Sequence, residues 1–131
     1  MFEDLSRIIL SGKKYPIRCD MLVLEKIQNK YISIDVFEEK LIPYIKNKNE
    51  EEKKFPVAET VLDALEWMMN EGEAIEAEEE GRNPVIYTRE KVARMNDMSL
   101  FKLANTLYAE FTKCFISKNA KTTQNQTEKT E

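Results

Sequence analysis

Among the residues that could do chemistry in this chain, one type is missing. There is no histidine, which removes the commonest general base and every Ser-His or Cys-His nucleophile pair. Gly12, Gly72 and Gly81 stand apart from one another, so no glycine-rich loop can cradle a phosphate. The densest ionisable set is acidic: Glu71, Glu73, Glu76, Glu78, Glu79 and Glu80. On a helix Glu76 and Glu80 fall at i, i+4 and could in principle hold a hard cation. A calcium loop, however, needs Asp or Asn at fixed offsets and a tight Gly turn, a pattern this run lacks. A solvated helix end is the better reading, mildly opposed by the helix dipole. Cys19 and Cys114 lie far apart in sequence, with no CxxC and no histidine to complete a zinc site. Each falls at or beside an apolar stripe, which predicts buried thiols. No catalytic, cofactor or metal residue is assigned, and the chain reads as non-enzymatic.

Binding is the stronger case, and Trp67 is its sharpest clue. At about 100° per residue it lies opposite the apolar stripe of its helix, beside Thr60, Asp63, Asn70 and Ala74. A tryptophan on a polar face is either clamped by a neighbouring element or left for a partner, and interface hot spots are enriched in Trp. Ile116 raises the same question on the last helix. Met68, Met69, Met95 and Met98 could form an adaptable surface, although gap-filling in the core suits Met68 and Met69 better. Lys13, Lys14 and Arg18 gather at the N-terminal hairpin, where lysines commonly discourage edge-to-edge pairing.

These residues must be held by a small set of elements. Ile8 and Leu10 alternate with Ile9 and Ser11, Ser11-Gly12 supplies turn chemistry, and Tyr15 and Ile17 alternate with Pro16 and Arg18. That is a β-hairpin. From Asp20, an N-cap candidate, the apolar set becomes Val23, Leu24, Ile27 and Tyr31, the stripe of an amphipathic helix. Ser33 caps a second helix with Ile32 and Phe37 in staple positions, and Pro43 ends or kinks it. Lys46 to Lys54 is a charge run without an apolar anchor and reads as an exposed loop. Phe55-Pro56 opens a long helix whose inward side carries Ala58, Val61, Leu62, Leu65, Met68, Met69 and Gly72, with Gly81 suited to its end. Val85 to Tyr87 form an extended link. Thr88 and Ser99 cap two further helices, with Tyr87/Val92 and Met98/Leu103 as staples. The last helix carries a broad face of Leu100, Leu103, Ala104, Leu107, Tyr108, Phe111, Cys114 and Phe115, and should be the central packing element.

The fold expected is α+β and mainly α, a β-hairpin followed by about five helices in one small bundle. Residues 1–117 form a single globular domain. Residues 118–131 hold no large apolar side chain and read as a disordered polar tail. The chain is 42% hydrophobic and 34% charged, a globular balance. A net charge of −4 argues against nucleic acid and anionic membranes as partners. No apolar run reaches the length of a membrane span, and MFEDLSRIIL lacks the basic start of a signal peptide. A cytoplasmic protein is expected.

The order of these segments resembles the tail assembly chaperones of long-tailed phages and prophages of Gram-positive bacteria. The segment SGKKYPIRCDMLVLEKIQNKYISIDVFEEKL, Ser11 to Leu41, is similar to their Gly-Lys-x-Tyr-Pro strand and the helix after it. VLDALEWMMNEGEAIEAEEEG, Val61 to Gly81, resembles their middle helix, with its Met-Asn-Glu-Gly step and acidic stretch. YTREKVARMNDMSLFKLANTLYAEFTKCF, Tyr87 to Phe115, looks like their Thr-x-Glu-x-Val-x-Arg helix and Phe-rich final helix. The resemblance implies a non-enzymatic assembly factor that binds the tape measure protein and helps recruit the tail tube protein in the host cytoplasm. It also implies absence from the finished virion. The partner-binding candidates are Trp67, Thr60, Asp63, Asn70, Ala74 and Ile116, and self-association is left open.

A second class is a small DNA-binding regulator from a phage or mobile element, since Thr88 to Phe115 is two helices joined by a short turn. Against it, a recognition helix presents Arg, Lys, Asn or Gln to base edges. Here the last helix carries mainly Phe and Leu, with Lys102 and Lys113 its only cations.

Overall fold

The computed structural model describes residues 5–43 and 54–116. The expected tail at 118–131, and all of the Lys46 to Lys54 run except Lys54, lie outside the described residues. Among the described residues, two antiparallel strands, β1 (Ser6–Leu10) and β2 (Lys13–Ile17), precede five helices. These are α1 (Met21–Tyr31), α2 (Ile34–Leu41), α3 (Ala58–Glu80), α4 (Arg89–Met95) and α5 (Leu100–Thr112). A 3-10 turn, Lys113–Phe115, follows α5. The expected hairpin-plus-helices architecture is the one observed.

The hairpin turns on Ser11 and Gly12, both at positive φ, the type I′ geometry that matches the twist of its strands. Ile8 and Leu10 are buried while Ile9 is exposed, as the period-2 pattern requires. Pro16 breaks that pattern, because β2 is covered from a second side. Its register partner is Arg7. A residue without an N–H fits only a ladder position whose polar groups face outward. There the backbone of Pro16 meets α3 at Gly72: a Cβ on Gly72 would sit 2.5 Å from both Pro16 C and O and 2.7 Å from Ile17 Cα. The Arg18 N–H continues the approach by donating to the Met68 carbonyl at 3.0 Å.

The expected caps form. Asp20 accepts from the N–H groups of Leu22 and Val23, Ser33 from Asp35, Thr88 from Lys91 and Ser99 from Lys102. Each satisfies a helix N–H that has no partner within its own helix. The long helix begins at Ala58, later than Phe55-Pro56 suggested, and without a side-chain cap. The preceding segment is tied instead by the Val57 N–H, which donates to the Lys40 carbonyl at 2.9 Å. Tyr87 and Val92 are both buried, in keeping with their staple positions, but Ile32 is 82% exposed and makes no such staple with Phe37. Ile32 also ends α1, at φ 71°, and the two-residue corner it forms with Ser33 between α1 and α2 leaves its side chain outward.

One core runs through the molecule, from Ile8, Leu10 and Ile17 through Val23, Ile27 and Phe37 to Leu65, Met68, Leu107 and Phe111. Met68 and Met69 are fully buried, as gap-filling predicts. The long helix is the element sandwiched by the rest, since Thr60, Asp63, Ala64, Glu73 and Ala77 are buried besides Val61, Leu65, Met68, Met69 and Gly72 of the expected stripe; of that stripe Leu62 is half-buried and Ala58, in the first turn, is exposed. The last helix packs through Leu103, Ala104, Leu107 and Phe111, while Phe115 stays exposed.

The two cysteines are not separate buried thiols. Cys19 and Cys114 are joined in a disulfide with Cα atoms 5.8 Å apart. Sequence distance hid the pairing: α5 runs back so that the turn after it ends beside the residue preceding the cap of α1.

Candidate partner-binding site

The face of α3 expected around Trp67 is largely a seam. Thr60 and Asp63 are buried. Asp63 accepts hydrogen bonds from Tyr31 at 2.6 Å and from Arg89, and pairs with Lys30 at 2.7 Å. Tyr31 Oη also lies 3.0 Å from Thr60 Oγ1. Burial by itself would push the Asp63 carboxyl up, but hydrogen bonds from Lys30, Tyr31 and Arg89 outweigh it and hold it below the usual value. The same site raises the Tyr31 hydroxyl to about 12, through burial first and the Asp63 hydrogen bond second. This carboxylate therefore ties the end of α1 and the start of α4 onto the long helix.

Two turns further along, Asn70 brackets a single residue of the Val85–Tyr87 link. Its Oδ1 accepts from the Tyr87 N–H at 2.8 Å and its Nδ2 donates to the Tyr87 carbonyl at 2.9 Å. A side-chain amide is the one neutral group that can satisfy both polar atoms of an extended residue in this way. Glu73, 4% exposed, accepts from the Val85 N–H at 2.9 Å and from Arg82 at 2.6 Å. The Arg82 hydrogen bond lowers its carboxyl. The acidic run is thus not simply a solvated helix end. Glu73, Glu76 and Glu80 all face Arg82, and Glu76 also pairs with Arg7. The signal available in the sequence was Arg82 just beyond Gly81, the turn that brings a cation back onto the helix. Among the described residues, no group of three or more His, Cys, Asp or Glu could hold a metal ion.

Trp67 sits between these two anchor points, four residues after Asp63 and three before Asn70. It is half-buried and packed against the core. Ala74 is exposed and Ile116 is 51% exposed. The proposed set is therefore divided. Thr60, Asp63 and Asn70 are bonded internally, Trp67 offers only part of its ring, and Ala74 and Ile116 are open to solvent.

A more accessible apolar feature lies elsewhere. The rings of Phe55 and Phe101 are 5.3 Å apart and 59% and 39% exposed, with Val57, two residues after Phe55, at 39%. Sequence periodicity missed this pair because Phe55 precedes α3 and Phe101 lies off the inward stripe of α5. Their proximity is a tertiary fact. Met21, Leu22, Val85 and Ile86 add further exposed apolar side chains.

At the other end of the seam, Glu71 lies beside Asp20, the cap of α1. Burial, followed by the hydrogen bond shared with the Asp20 carboxyl, pushes Glu71 up to about 7. Its folded value is above the unfolded one of roughly 4.3, so the folded chain keeps a proton that the unfolded chain releases. Stability from this group is present below the unfolded value and is lost as pH rises through about 7. Glu71→Gln should accordingly raise the thermal midpoint clearly at about pH 8 and much less at about pH 5, where the unfolded chain has only begun to gain from losing the proton. Thermal melts of both proteins in the two buffers check this, and an equal gain at both pH values would contradict it.

No helix of the described residues is long and apolar enough to cross a membrane. No known protein family, curated protein or solved structure matches the chain.

Proposed function

We propose that this chain is a non-enzymatic tail assembly chaperone of a long-tailed phage or prophage. It acts in the host cytoplasm by reversible contact with apolar helical segments of the tape measure protein, and it favours recruitment of the tail tube protein. The observation that carries the reading is the exposed Phe55–Phe101 ring pair, with the exposed Val57 two residues after Phe55. Aromatic anchors of this kind dominate the energetics of helix-in-groove contacts. The order of hairpin, acidic middle helix and Phe-rich last helix supports the same reading through the family resemblance.

The contact belongs to the two phenylalanines before Trp67, because Trp67 also supports the core and its truncation would mix folding with binding. In co-expression with the tape measure protein, Phe55→Ala/Phe101→Ala should keep a thermal midpoint within a few degrees of wild type. It should lose about tenfold or more in affinity, the scale of one or two aromatic anchors. Equal recovery of client by the double variant and the wild type in a pull-down would refute this surface.

A further inference from the structure

We propose that Cys19–Cys114 is a redox-controlled latch, which when oxidised pins the turn after α5 to the corner between β2 and α1 and when reduced releases it. The bridge joins residues separated by 95 positions, so it is a tertiary tie rather than a local one. Cys19 lies between β2 and the Asp20 cap and is 4% exposed. Cys114 sits in the 3-10 turn Lys113–Phe115, which has no buried residue of its own.

Apart from the bridge, the turn is lightly held. Lys113 Nζ donates to Ser6 Oγ at 2.7 Å at an exposed site and lies 3.4 Å from Glu110; exposed contacts of this kind hold little. The Phe115 ring rests on Phe111 at 5.2 Å but is 57% exposed. The preceding helix, by contrast, is anchored by Leu103, Ala104, Leu107 and Phe111. Breaking the bridge should therefore free the turn and leave the bundle standing. The consequence is local and chemical: the Cys19 N–H and the buried Glu110 carboxylate, 3.2 Å apart, lie under the latch.

The chemistry is thiol–disulfide exchange. A thiolate of a dithiol reductant attacks Sγ of Cys114, the more exposed sulfur. The S–S bond breaks, and its electron pair leaves on Cys19, which takes up a proton. The second thiol of the reductant then displaces Cys114, so two electrons pass to the protein and the reductant becomes a cyclic disulfide. Oxidised glutathione drives the reverse. In a reducing compartment the open form is the resting one, and the closed form belongs to oxidising conditions. The latch stands independently of the client-binding reading.

The test uses the full chain, prepared in oxidised glutathione or in dithiothreitol and, in each state, alkylated with iodoacetamide under denaturing conditions. Intact mass should show no label on the oxidised protein and two on the reduced one. Hydrogen exchange of the 113–116 amides should be about tenfold or more faster in the reduced protein, with Ala58–Glu80 nearly unchanged, as expected for local rather than global opening. Cys114→Ser should show the fast rate in both buffers. Two labels on the protein kept in oxidised glutathione would overturn the proposal. So would equal exchange of 113–116 in the two states, or collapse of protection throughout the bundle on reduction, which would make the bridge a staple of the whole fold.

Discussion

Gly72→Ala should lower the thermal midpoint by more than about 10 °C, corresponding to a loss of about 3 kcal/mol in a domain of this size. On an isolated helix the same change would help by about 1 kcal/mol, because Ala is the better helix former. Packing reverses the sign. The new Cβ would meet three backbone atoms of Pro16 and Ile17 at 2.5 to 2.7 Å, and backbone cannot rotate aside as a side chain can. Either β2 moves off the helix, breaking the Arg18–Met68 hydrogen bond, or α3 bends. Overpacking of this kind costs about 1 to 3 kcal/mol and more where the neighbour is rigid. Pro16 adds to that rigidity by fixing its own φ. Circular dichroism melts of the variant and wild type measure the effect, and a midpoint at or above wild type would show that β2 does not approach α3 at this glycine.

Asp63→Ala is expected to cost about 3 kcal/mol near neutral pH, toward the lower end for breaking a buried ion pair because its cations can still reach water. Lys30 and Arg89 keep side-chain exposures of 39% and 32%, whereas Asp63 retains 2%. Tyr31 and Thr60 are the groups left to find new partners. The Asp63 carboxyl is held below its ordinary value in the fold. Its contribution is therefore complete above the unfolded value of about 3.9 and disappears as pH falls through the folded one. Urea unfolding of the variant and wild type should differ most at about pH 7 and converge at strongly acidic pH. A difference that persists undiminished in acid would assign the loss to packing instead.

The hairpin, the four side-chain caps and the inward stripes of α3 and α5, except their end residues Ala58 and Phe115, were legible along the chain, because each depends on neighbours within a few residues. The polar face of α3 was legible only as a pattern. Thr60, Asp63, Trp67 and Asn70 do share one side of the helix, as their spacing requires. Whether that side meets solvent or another segment depends on Tyr31 and Arg89, which come from elements on either side of it in sequence. Phe55 and Phe101 were invisible as a pair for the same reason, and so was the bridge between Cys19 and Cys114.

By itself, then, the sequence determined the class of the fold, the order of its elements and the want of a histidine-based catalyst, since residue types and short-range periodicity decide all three. Tertiary structure alone decided which polar residues became internal ties and which aromatic rings stayed exposed. It also decided that Gly72 must be glycine and that two distant cysteines meet. Those outcomes depend on how helices and strands dock across tens of residues, and local spacing carries no record of that docking.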